Sequence, residues 1–164
     1  MIETRATITS FSKEMKTLIL IYLLITSLGF LSALQFVNLT TEGNPTGIEE
    51  NYLGNEQDLE AAEMKFAKSE KQILNIVHAH MLSLSMLFLI LGILVSCTPL
   101  GGSLRTILIL EPMVSVAMTF GGIYLLTKGV MWMKYLILFS GIAMVISYIL
   151  SVAIVVYWIL RKSN

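Results

Sequence analysis

Four long blocks of apolar residues dominate the pattern of this 164-residue chain. A helix rises about 1.5 Å per residue, so about 20 apolar residues cross a hydrocarbon core about 30 Å thick. Stretches such as MLFLILGILV do not alternate apolar and polar residues, as the strands of a membrane barrel do. The pattern predicts an all-α fold, an antiparallel bundle of four transmembrane helices at about residues 17–37, 72–96, 104–126 and 132–160.

The composition also favours a membrane protein. Hydrophobic residues make up 55% of the chain and charged residues 13%, about half the charged share of a soluble domain. Eleven Lys and Arg balance eleven Asp and Glu, so no basic excess supports a nucleic-acid partner. The one cysteine excludes a disulfide framework. We predict a single domain, residues 1–164, surrounded by lipid.

Positive charges indicate the orientation, because cytoplasmic segments carry an excess of Lys and Arg. With four spans, the side that carries both termini holds six of these residues and the other side five. The connection between the first two spans, residues 38–71, carries eight Asp or Glu. We predict that both termini are cytoplasmic, that the acidic loop 38–71 is external, and that the protein lies in a bacterial inner (plasma) membrane.

This acidic loop divides into two parts. Residues 38–55 are rich in Gly, Asn, Thr and Pro, which indicates irregular chain. Asn55 can cap a helix with an acidic first turn, and no Gly or Pro interrupts residues 56–91. Apolar residues recur there at helical spacing. We predict an amphipathic helix that runs straight into the second span, either as a solvated extension or as a docking surface.

Three His or Glu residues lie well inside the predicted spans, His78, His80 and Glu111, and such ionisable residues are functional candidates because they are costly to insert. The two histidines point about 200° apart around the helix axis, so one metal ion cannot bind both. His78 shares its face with Asn75 and Met81, a polar stripe that we expect to face the bundle. We expect His80 to face lipid or another subunit.

Polar and small residues form matching stripes on the other spans, which we expect to pack together. Beside His78 we expect Gly121 and Gly122 to give either close helix packing or room for a flat ligand. The stripes are Tyr22, Thr26, Gly29 and Ala33 in the first span, Glu111, Ser115, Met118 and Gly122 in the third, and Ser140, Met144, Ser147 and Ser151 in the fourth.

Glu111 precedes Pro112, which removes one backbone hydrogen bond and kinks a helix. We expect a protonated carboxyl here, which either carries protons or forms a structural hydrogen bond. Met81 or Met118 would supply a soft ligand beside His78, since a His/Met pair suits haem iron or copper. Haem b or a copper-type metal is therefore a candidate cofactor at His78 or His80.

The segment from Asn75 to Gly92, NIVHAHMLSLSMLFLILG, resembles the helix that opens with His-Ala-His in small bacterial four-helix membrane proteins related to subunit I of haem–copper oxidases. The resemblance implies that His78 or His80 binds a low-spin haem b. The chain lacks the Gly-Trp that commonly follows this motif, and no second helix supplies a histidine. A second ligand would come from Met or a neighbouring subunit, unless that coordination position stays open.

Three functions fit these features. The first is a non-catalytic membrane subunit or accessory protein, within a homo-oligomer or a larger membrane complex. The second is a haem- or metal-binding protein, and the third a small transporter or proton-conducting protein that uses Glu111. The sequence contains no phosphate-binding loop, Gly-x-Ser-x-Gly or His-Glu-x-x-His, so we favour the non-enzymatic function.

Overall fold

The computed structural model describes residues 7–58, 61 and 63–161. Helices alone form the regular structure of these residues, which confirms the all-α prediction. Four of the five α-helices are long and apolar enough to cross a membrane, and they overlap the predicted spans. The elements are a 3₁₀ turn at Ile8–Ser10, followed by α1 (Lys13–Thr41), α2 (Pro45–Leu53), α3 (Glu70–Ser96), α4 (Gly102–Thr127) and α5 (Met133–Leu160).

An extramembrane helix precedes the second span, as predicted, but it lies earlier in the chain. It is α2, which begins at Pro45 after Asn44, whose side chain accepts a hydrogen bond from the Gly47 amide. Proline suits the first helical position, because that position has no partner for an amide donor. The prediction that residues 38–55 are irregular was therefore wrong over α2.

Asn55 does not cap a helix, and the described residues 55–58, 61 and 63–69 are not helical, so no continuous helix runs from Asn55 into the second span. Its side-chain oxygen accepts a hydrogen bond from the Lys65 amide at 2.6 Å, and its side-chain nitrogen donates to the Glu63 carbonyl at 2.9 Å. These bonds close a loop that ends at Ser69, where a capping box starts α3. Residues 59, 60 and 62 of the predicted helix lie outside the described residues.

The two ends of the bundle are distinct. On the terminal side, defined by the 3₁₀ turn and the connection 97–101, the Ile8 amide donates to the Cys97 carbonyl at 2.8 Å. On the loop side, defined by α2 and residues 54–69, ion pairs join separate elements. Their N–O distances are 2.6 Å for Lys134–Glu49, 2.7 Å for Lys128–Glu70 and 3.5 Å for Lys65–Glu50.

Helices α3, α4 and α5 pack together, whereas α1 lies at the edge of the bundle. The predicted α5 stripe of Ser140, Met144, Ser147 and Ser151 is buried, as expected. Helix α1 buries only four of its residues, Ile19, Leu23, Phe30 and Thr41. The predicted α1 stripe only partly faces the bundle, since Gly29 and Ala33 are exposed. Most of the α1 surface is therefore available to lipid.

Candidate functional site

Glu111 joins α4 to α5 through its carboxyl group. One oxygen accepts a hydrogen bond from the Ser115 hydroxyl, one turn further along α4, and the other accepts one from the Ser147 hydroxyl of α5. Both serines are buried, and Glu111 itself is partly buried. Helix α4 continues through the buried Pro112. Polar groups surrounded by apolar ones are favourable only when hydrogen-bonded, so this contact holds the two helices in register.

A second polar contact joins the same helices closer to the loop side. The hydroxyls of Thr119 and Ser140 lie 2.7 Å apart, and both residues are buried. Between Thr119 and the loop side, Gly122 faces Ile137, and a methyl group added to Gly122 would lie 3.0 Å from the Ile137 Cγ1. Of the two expected alternatives, close packing with α5 therefore holds at Gly122, whereas a methyl group added to Gly121 would have no neighbouring helix within 4 Å.

Tyr148 of α5 connects α1 to the bundle, a role that the sequence analysis did not identify. Its ring stacks on Phe30 with centroids 4.0 Å apart and meets Phe88 of α3 edge-on at 6.3 Å. Its hydroxyl lies 3.0 Å from that of Ser27 and donates to Thr26 at 3.4 Å. The sequence places these residues at similar depths from the terminal side, but it does not show that α1 and α5 are neighbours.

The prediction that His78 faces the bundle was wrong. His78 and Asn75 are both exposed on the outer surface of α3. The buried face of α3 consists instead of apolar residues, whose side chains gain van der Waals contacts by packing against α4 and α5. They are Ile73, Phe88, Leu91, Leu94 and Val95, together with Gly92.

His80 lies on the side of α3 that faces α4, although it too is exposed. Its ring stacks on Phe120 with centroids 4.9 Å apart, and its Nδ1 lies 2.8 Å from the Ile76 carbonyl oxygen. This ring nitrogen is therefore hydrogen-bonded to the backbone of α3. His80 is thus exposed, as expected of a residue that faces lipid or another subunit, but Phe120 covers one face of its ring.

The candidate soft ligands occupy different environments. Met81 packs against the apolar core, whereas Met118 is 43% exposed, so the predicted α4 stripe is not buried as a unit. Asn75 and Leu82, which share the exposed face of His78, are not haem ligands, so this face of one chain does not form a two-ligand haem site. Across the described residues, no three His, Cys, Asp or Glu side chains cluster as metal ligands do.

The loop side carries a group of charged residues that lie outside the spans. A cavity of about 340 Å³ is lined by three acidic residues, Glu42, Glu50 and Glu63, and by the basic residue Lys65. Burial, together with the charge of Lys65, lowers the pKa of Lys68. Burial also raises the pKa of Tyr52 to about 12. Lys68 donates to both oxygens of Asn51, so these groups tie the loop to α2.

Comparison with known proteins gives one match. A family model described as a transmembrane helical domain matches residues 42–164, which are 123 of the 164 residues. No curated protein and no solved structure matches the chain. The matched segment begins directly after α1 and contains α2 with the three packed spans. The description of the family does not mention haem–copper oxidases.

Proposed function

The chain belongs to this family of transmembrane helical domains, and from that premise we propose that it is a non-catalytic subunit of a membrane complex, in which α3 binds another membrane protein. The observation that carries this proposal is the contrast between two groups of polar residues. Glu111, Thr119 and Tyr148 hydrogen-bond between helices of the chain. Asn75 and His78 instead lie on an exposed face.

The depth of these two residues makes their exposure costly. Helix α3 has 27 residues, a length of about 40 Å against a hydrocarbon core of about 30 Å. When α3 is centred in the membrane, its first 5 Å or so lie outside the hydrocarbon core. The core therefore begins about three to four residues after Glu70. Asn75 and His78 lie deeper than this boundary. Polar groups in hydrocarbon are unfavourable without hydrogen-bond partners, and a protein docked on α3 would supply them.

The experiment measures the mass of the complex after extraction from native membranes with a mild detergent. We expect the wild-type chain in a complex heavier than its own 18.2 kDa, and the variant Asn75→Leu/His78→Leu at the mass of a single chain. The matched control is Ser32→Leu/Gln35→Leu, an exposed pair with the same spacing and similar depth on α1. A monomeric wild type, or dissociation by the control alone, would overturn the proposal.

The proton-conducting alternative rests on Glu111. Its support is weaker, because both carboxyl oxygens already accept hydrogen bonds from serines that fix the packing of α4 on α5. The haem alternative would place the iron on the exposed face of α3, where a second ligand would have to come from another chain. The hydrogen bonds of Glu111 thus support a structural role for this carboxyl group, and the haem alternative requires a ligand from another chain.

We also propose that the terminal side is cytoplasmic, supported by the positive-charge count and the acidic loop. In a Cys97→Ser background, we expect a membrane-impermeant maleimide added outside the cell to label a cysteine at Asn44 on the loop side. A cysteine at Ser103, near the start of α4 on the terminal side, should remain unlabelled until the membrane is opened. The reverse pattern would show that the orientation is inverted.

A further inference from the structure

The exposed face of α3 has the spacing of a coiled-coil seam. Residues along it follow one another at alternating intervals of four and three, which is the 3.5-residue period of a left-handed helix pair. Four apolar members are 52–62% exposed, and the other two are exposed as well. The seam consists of Asn75, Ala79, Leu82, Met86, Leu89 and Ile93.

We propose that this seam binds the same seam of a second copy, so that two α3 helices run in parallel across the membrane. This inference rests on the proposed function, because it identifies the membrane protein that binds the exposed face of α3 as a second copy of the chain. Every copy inserted in the same orientation presents its α3 in the same direction, so identical residues meet at the same depth. A two-fold symmetric contact of this kind is the commonest form of self-association.

The chemistry of the seam fits a second copy. The Asn75 amide contains both donors and acceptors, so it hydrogen-bonds to the same amide of another copy. A single Asn in an apolar seam fixes the register and number of the paired helices. Four residues further along α3, Ala79 has a small side chain that allows close approach of the two backbones. A different protein would need its own polar group at this depth.

His78 lies beside the seam and adds a second polar contact. A neutral imidazole has one donor and one acceptor nitrogen, so it suits the Asn75 or the His78 of the opposite copy. Lipid tails are as apolar as leucine, so the apolar residues of the seam contribute packing rather than a hydrophobic driving force. The polar contacts at Asn75 and His78 therefore set which surfaces associate.

The test uses single cysteines in the full-length Cys97→Ser protein, purified alone and reconstituted in phosphatidylcholine vesicles. After oxidation with copper phenanthroline, we expect several-fold more disulfide-linked dimer for cysteines at Leu82, Met86 and Leu89 than for two controls. One control is Leu74, which is 50% exposed but points about 100° away from the seam. The other is Leu28 of α1, which is 61% exposed.

The outcomes separate this inference from the proposed function. Cross-linking that is equal at seam and control positions, or absent at all of them, overturns the homodimer. If the native complex nevertheless loses its larger mass on Asn75→Leu/His78→Leu substitution, the partner is a different membrane protein and the proposed function stands. If the wild type also leaves native membranes as a monomer, both proposals fail.

Discussion

Replacing Tyr148 with alanine is expected to lower the free energy of unfolding by about 3–5 kcal/mol, the usual cost of truncating a buried aromatic residue. Tyr148 is 4% exposed and contacts two other helices through its ring. Its hydroxyl also lies within hydrogen-bonding distance of Ser27. Since α1 has few other buried contacts, the loss is expected to free this helix from the bundle.

The measurement is a titration with SDS in mixed micelles, followed by circular dichroism. Tyr148→Phe keeps both ring contacts and should cost only about 1 kcal/mol for the lost hydrogen bonds. Phe139 of α5 is 73% exposed, so Phe139→Ala should stay within about 0.5 kcal/mol of the wild type. Nitroxide labels at Leu28 and Ile146 should show a broader distance distribution in Tyr148→Ala. An unchanged distribution would contradict the assigned role of Tyr148.

Replacing Glu111 with leucine should lower the free energy of unfolding by about 1–3 kcal/mol, because it leaves two buried hydroxyls without their partner. Glu111→Gln should retain most of the stability, since the amide has a similar size, accepts from one serine hydroxyl through its oxygen and donates to the other through its nitrogen. This outcome is expected if the carboxyl is protonated, as the sequence analysis predicts. The same SDS titration compares the two variants.

Two results would contradict this account of Glu111. If Glu111→Gln is as destabilising as Glu111→Leu, the native carboxyl is ionised and the prediction of a protonated group is wrong. If Glu111→Leu costs no more in the wild type than in a Ser115→Ala/Ser147→Ala background, the hydrogen bonds contribute nothing to stability. The double-mutant cycle thereby isolates the contact from the effect of changing the side chain.

The sequence predicts the spans well because membrane insertion depends on local hydrophobicity. It also predicts the buried face of α5, where Ser140, Ser147 and Ser151 mark one side of an otherwise apolar helix. The polar side of α3 is exposed instead, so polarity did not identify the buried face of that helix. Polar residues indicate a contact between helices, but they do not show whether the other helix belongs to the same chain.

Other features depend on contacts between residues far apart in the sequence. The start of α2 has a local cause, the Asn44 cap followed by Pro45, but the Gly- and Pro-rich composition favoured irregular chain there. The contact of Tyr148 with Phe30 joins the first span to the last, and no local pattern encodes which helices become neighbours. The predicted roles of His78 and Glu111 in binding or proton transfer remain predictions.

The attachment of α1 to Tyr148 has a consequence for biosynthesis. Ser27 and Tyr148 are separated by 121 positions, and bacterial and eukaryotic ribosomes add about 5–20 residues per second. About 6–24 s therefore pass between the synthesis of the first span and the synthesis of Tyr148. During this interval the first span must persist as an isolated helix in lipid. A mean hydropathy of 2.2 over 18 of its residues, and apolar side chains around most of its circumference, favour a stable helix in lipid during that interval.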